Sequence, residues 1–177
     1  GYGLTTHSAI NRTHQLFPNS VPTREAAEEI AEDVFHLKHV FPSRDPEREG
    51  PFERARNASK RLVGNYVEDY PEDFVQSRSL EQRFEIKADK ALITGSIDLL
   101  LREDSNGNIL EARVIDFKSM DFPEGQLNPF FWINLSLQVQ LYAHAANIVL
   151  GENAKTGAVH LLKAASTEES PNRVNVP

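Results

Sequence analysis

Leu92 to Lys118 reads LITGSIDLLLREDSNGNILEARVIDFK, and the length of the turn inside it decides whether two of its acids share a sheet face. Leu92–Leu101 and Ile109–Phe117 have the length and apolar content of strands. Glu103 to Asn108 between them is a run of turn formers. A two-residue Asn106-Gly107 turn would pair Ser105 with Asn108 and Asp98 with Ile115, leaving Asp98 and Asp116 on opposite faces. A three-residue loop, Ser105-Asn106-Gly107 with Gly107 left-handed, pairs Asp104 with Asn108 and Asp98 with Val114. Asp116 then lies diagonally beside Asp98 on one face. The sequence predicts this bulged loop.

Lys118 stands two residues beyond Asp116, so on a strand the ammonium and the carboxylate share a face. Alone, an Asp-x-Lys triplet is equally a surface ion pair. Asp98 is more telling, because Gly95-Ser96-Ile97-Asp98-Leu99-Leu100-Leu101 sets one acid in an otherwise apolar strand. A carboxylate there is costly to bury unless it meets a cation or amide donors.

Upstream, Leu4–Phe17, Arg24–Val40 with Thr23 as cap, and Phe52 to about Tyr66 follow helical spacing. Ser79–Ala88 alternates as a strand and completes a three-strand meander. Asn134–Leu150 returns to helix, Gly151 suits its C-cap, and Ala158–Leu162 reads as a fourth strand. No element is evident beyond it. This order implies an α/β sandwich in which the last strand joins the meander after a helical crossover. At 177 residues and 40% hydrophobic content, one domain is expected over 1–177. Its part from about 1 to 75 is mainly helical, and its sheet core runs from about 76 to 165.

No cysteine occurs, which removes disulfides, thiolate zinc sites and iron-sulfur clusters, so any metal must sit on oxygen or imidazole. The opening residues lack a signal-peptide pattern and no apolar run suits a membrane span, as expected of an intracellular, cytoplasmic protein. The only methionine is Met120, which suggests a fragment of a longer protein. The formal charge of -7 has the wrong sign for a freestanding module that grips phosphates by its overall field. It suits a cutting module whose carboxylates hold a cation while attached domains or a partner hold the nucleic acid.

The motifs Gly95-Ser96-Ile97-Asp98, Val114-Ile115-Asp116-Phe117-Lys118 and Gln138-Val139-Gln140-Leu141-Tyr142 follow Tyr2-Gly3-Leu4-Thr5-Thr6-His7 in one order. Together they resemble the RecB-like nucleases of the PD-(D/E)XK superfamily, found attached to DNA helicases. The resemblance implies a restriction-endonuclease-like core, a mixed β-sheet flanked by helices, and hydrolysis of DNA by a water activated at a divalent cation. Mg²⁺ or Mn²⁺ would be held by Asp98, Asp116, the Phe117 carbonyl and His7, with Lys118 positioning the water or stabilising the transition state. It implies that Gln138 and Tyr142 orient Lys118 or a DNA phosphate; four apart on a helix, they equally suit a buried hydrogen bond between helix and sheet. A role in recombination or repair beside a helicase is the implied context.

Other residues carry weaker signals. His14 has the same helical credentials as His7, and position after Tyr2-Gly3 favours His7. Glu81 matches an extra acid that some relatives carry on the first strand, or is a solvated strand glutamate. His36, His39, His144 and His160 match no motif. Arg48, Arg54, Arg56, Lys60 and Arg61 are interleaved with glutamates, as on a solvated helix face. Two rival readings are a catalytically inactive nuclease-fold scaffold or DNA-binding module in a repair assembly, and an enzyme acting on a small nucleotide. The latter is disfavoured by the lack of a glycine-rich phosphate cradle.

Overall fold

A computed structural model describes residues 3–45, 47–105, 109–119, 129–163 and 173–176. The chain forms two compact units, Gly1–Val75 and Gln76–Pro177.

The first unit contains α1 (Gly3–Leu16), α2 (Arg24–Asp33), α3 (Pro51–Asp69) and a 3-10 turn at Pro71–Phe74. Its core uses the small and branched residues of the helical stripes, including Ala9, Ile10, Ala27, Ala31, Leu62 and Val63, all fully buried. Thr23 caps α2 as its sequence position predicts, accepting from the Ala26 amide at 3.2 Å. The helix stops at Asp33, well before the expected Val40. Tertiary packing overrides the helical period here: Phe35 leaves the helix to meet Phe52 of α3 edge-on at 5.2 Å, and the His36 carbonyl accepts from Thr5 Oγ1 at 2.9 Å. At the start of α3, Glu53 receives the amides of Ser43 at 2.7 Å and Gly50 at 2.8 Å. Those bonds hold its carboxyl below the usual glutamate range. Two neighbouring cations, Arg56 and Lys60, share Glu32 of α2 within the unit.

His14 belongs to this unit's interior. It is 2% exposed, stacks on Phe74 with centroids 4.1 Å apart, and lies 2.8 Å through Nε2 from the Tyr66 hydroxyl. That hydroxyl donates its one proton to Asp73 Oδ2 at 3.0 Å, so His14 Nε2 carries the hydrogen it gives to Tyr66. The chain of bonds ties α1, α3 and the 3-10 turn together.

The second unit is a five-stranded sheet in the order β1-β2-β3-β4-β5, with β1 at Ser77–Ala88, β2 at Ala91–Ser105, β3 at Ile109–Lys118, β4 at Ala154–Leu161 and β5 at Arg173–Val176. β1, β2 and β3 form the expected antiparallel meander, and β4 lies parallel to β3 after the crossover helix α4 (Pro129–Leu150). This is the mixed α/β, restriction-endonuclease-like architecture. β5 was not anticipated; it runs antiparallel to β4, and its alternating Val174 and Val176 were the signal available. Gly151 ends α4 with φ 70°, a left-handed C-cap.

The hairpin between β2 and β3 corrects the sequence reading: the turn lies one residue further along, and every cross-strand partner moves by two residues. Ser105 pairs with Ile109, so the three intervening residues are 106–108 rather than 105–107; the conformation of Gly107 lies outside the described residues. The shift sets Leu99 opposite Ile115 and Leu100 opposite Val114. The expected register would have set Leu99 against Arg113 and Leu101 against Glu111. The observed register matches two apolar rows while setting Leu101 opposite Arg113 and Glu103 opposite Glu111, and Arg113 reaches Glu103 at 3.6 Å.

α4 packs on the sheet through Leu135, Val139, Ala145 and Ala146, against Leu100, Val114, Val159 and Leu161. Gly157 permits this close approach. A Cβ there would lie 2.1 Å from Val139 Cγ1 and 2.9 Å from Val114 Cγ2. Gly157→Ala is therefore expected to destabilise the protein by about 1–3 kcal/mol in urea unfolding, and adding Val139→Ala to recover part of that loss. An unchanged midpoint for the single variant would show that α4 can move away at little cost.

Candidate active site

The site lies where β3 ends and α4 crosses the sheet. Alternation along β3 puts Ala112, Val114 and Asp116 on the face covered by α4, and Lys118 continues the row. Asp116 is 3% exposed. Its Oδ2 lies 2.7 Å from Lys118 Nζ, and its Oδ1 accepts from Gln138 Nε2 at 3.3 Å. Gln138 also donates to the Tyr142 hydroxyl at 2.7 Å and accepts from Lys118 Nζ at 3.2 Å. The amide orientation follows from its partners: reversed, its NH₂ would face the lysine ammonium and its oxygen the carboxylate.

Asp98 arrives from β2. The β2–β3 ladder is paired from Ser105↔Ile109 to Leu99↔Ile115; one further rung in this register sets Asp98 opposite Asp116. At that position Asp98 Oδ2 accepts from the Phe117 backbone amide at 2.9 Å. The acid thus has an amide donor, one of the two compensations that its apolar surroundings demand.

Burial comes first among the influences that push the Tyr142 phenol above its ordinary pKa; the Asp116 and Asp98 carboxylates act in the same direction, while Gln138 and Lys118 oppose them. Tyr142 therefore stays protonated near neutrality and serves as a hydrogen-bonding group rather than a base. Its ring meets Phe84 edge-on at 5.7 Å, which anchors the α4 end of the network to β1.

Asp98, Asp116, Lys118, Gln138 and Tyr142 are thus gathered in the sheet unit, with the Phe117 backbone among them. His7 is on α1 of the helical unit, half-buried. Among the remaining histidines, His160 is fully buried beside Phe117, with ring centroids 5.9 Å apart, while His36, His39 and His144 are exposed. Glu81 is exposed on β1.

Among the described residues, no group of three or more His, Asp or Glu side chains is gathered to hold a metal ion. Two carboxylates nevertheless fit a hard cation of the Mg²⁺ type, which takes one or two carboxylates and completes its octahedron with water and substrate phosphate. Lys118 Nζ forms an ion pair with Asp116 Oδ2 at 2.7 Å.

The pattern of the PD-(D/E)XK nuclease superfamily matches residues 1–174, and the chain belongs to that superfamily. Its members are generally nucleases and typically use divalent metals. No curated protein matches the chain. Among the described residues, no helix is long and apolar enough to cross a membrane.

Proposed function

We propose that this chain is a divalent-metal-dependent deoxyribonuclease of the RecB-like branch, its two units acting as one nuclease domain that hydrolyses DNA phosphodiester bonds. The observation that carries the reading is the single hydrogen-bonded cluster of Asp116, Lys118, Gln138 and Tyr142, with Asp98 adjoining it through the Phe117 amide. An isolated surface ion pair would not require a glutamine and a tyrosine from a crossing helix to fix both partners.

In this proposal Asp98 and Asp116 bind Mg²⁺ or Mn²⁺, with the Phe117 carbonyl and the His7 imidazole as further ligands. The bound cation would supply Lewis-acid stabilisation and a lowered pKa for water. Lys118 directs its ammonium toward the attacking water or the phosphate's developing charge. Gln138 holds Lys118 and Asp116 in one orientation, and Tyr142 holds Gln138. DNA is the substrate, and the net charge of -7 favours a division of labour in which attached helicase or repair domains grip the strand.

The test incubates linear single- and double-stranded DNA with the protein in Mg²⁺, in Mn²⁺ and in excess EDTA. Cleavage is expected with either metal and none with EDTA. Absence of cleavage, together with absence of heat on calorimetric titration with Mn²⁺, would instead identify an inactive nuclease-fold scaffold.

A further inference from the structure

Glu81 is the one residue of β1 whose backbone is left-handed, with φ 46°. A non-glycine side chain inside a strand rarely accepts that conformation, and such outliers persist only where the surroundings impose them. The pairs on either side, Leu80↔Leu99 and Gln82↔Ile97, place Glu81 in register with Asp98. Glutamine supports the bend locally: Gln82 Nε2 donates to the Leu80 carbonyl at 2.9 Å across Glu81.

Strand alternation breaks at the same row. Ile97 and Leu100, three apart, would face opposite sides of a regular strand, yet both belong to the core that contains Val139 of α4. The change of side therefore falls between them, at Asp98 and Leu99. There the Asp98 carboxylate turns onto the Phe117 amide.

We propose that Glu81 is a positioning residue that acts through its backbone, its left-handed turn bending the β1–β2 ribbon so that the Asp98 carboxylate reaches the Phe117 amide beside Asp116. This rests on the reading of Asp98 as a site residue, but the geometry can be tested without nuclease chemistry. The exposed carboxylate of Glu81 has no part in it. Glycine should therefore replace glutamate here, whereas a β-branched residue, which resists the left-handed region, should not.

Glu81→Gly, Glu81→Ala and Glu81→Val would be compared by thermal unfolding, by the amide proton shift and hydrogen exchange of Phe117, and by Mn²⁺ binding and DNA cleavage. The glycine variant should melt above the alanine variant, the reverse of the order at a regular strand position. It should keep the parental Phe117 amide shift, Mn²⁺ affinity and cleavage. In Glu81→Val the Phe117 amide should move upfield and exchange faster on the order of tenfold, with Mn²⁺ affinity falling by a similar factor. If the valine variant does not fold, the order of the glycine and alanine variants and their Phe117 amides still decides. Loss of the Phe117 signature or of cleavage in a folded Glu81→Gly, or alanine melting above glycine, would overturn the proposal. If the parent protein neither binds Mn²⁺ nor cuts DNA while the melting order and the Phe117 shifts come out as stated, the nuclease reading fails and the positioning role stands.

Discussion

Lys118→Met is expected to abolish most DNA cleavage while leaving Mn²⁺ affinity equal to the parent's or higher. Lys118 Nζ lies 2.7 Å from Asp116 Oδ2, so it is the counter-charge of the carboxylate proposed to bind the cation. Removing the ammonium removes both that pairing and its repulsion of the ion. Chemistry should suffer because no other cation among the site residues can face the developing charge; loss of one such group costs about 10²–10³ in kcat. The same geometry predicts a thermodynamic signature. Without Lys118, Asp116 is a 3% exposed carboxylate stripped of its counter-charge, so the metal-free variant should be less stable than the parent. Mn²⁺ should then raise its melting temperature by more than it raises the parent's. Calorimetry, thermal shift and gel-based cleavage check the three statements together. Parental cleavage by Lys118→Met would remove that residue from the chemistry, whatever its effect on binding.

Asp116→Ala should fail differently, with cation affinity and cleavage falling together. Loss of an outer-sphere partner typically costs about 10–100-fold in metal affinity, and loss of a direct carboxylate ligand should exceed that range. Excess Mn²⁺ should restore part of the cleavage by mass action. It should restore none in Lys118→Met, because more metal cannot supply an ammonium to the transition state. The contrast between the two variants across Mn²⁺ concentration separates a ligand from a transition-state group. Equal rescue of both would mean that the pair acts as a structural ion pair.

Local sequence determined which residues could meet. The two-residue spacing of Asp116 and Lys118 fixes a shared strand face, and the four-residue spacing of Gln138 and Tyr142 fixes a shared helix face. A hairpin that kept Asp98 and Asp116 on the same parity was legible from the turn formers between Glu103 and Asn108. The parallel placement of β4 followed from a helix between two strands. These features depend only on backbone period and turn chemistry, which neighbouring residues specify.

Tertiary structure decided what the spacing left open. Every cross-strand partner moved by two residues from the expected pairing, which brings Leu99 and Leu100 against Ile115 and Val114 across the ladder, an outcome that no turn residue encodes. α2 ends at Asp33 because Phe35 and the His36 carbonyl have partners on α3 and α1. His14, indistinguishable from His7 by helical pattern, is committed to Tyr66, 52 residues away in sequence. Gln138 joins Asp116 and Lys118 from α4, whose Val139 packs where a side chain at Gly157 would otherwise stand. In each case the deciding contact joins residues far apart in the chain, and its free energy comes from volume, burial and hydrogen-bond geometry that exist only once the elements have packed.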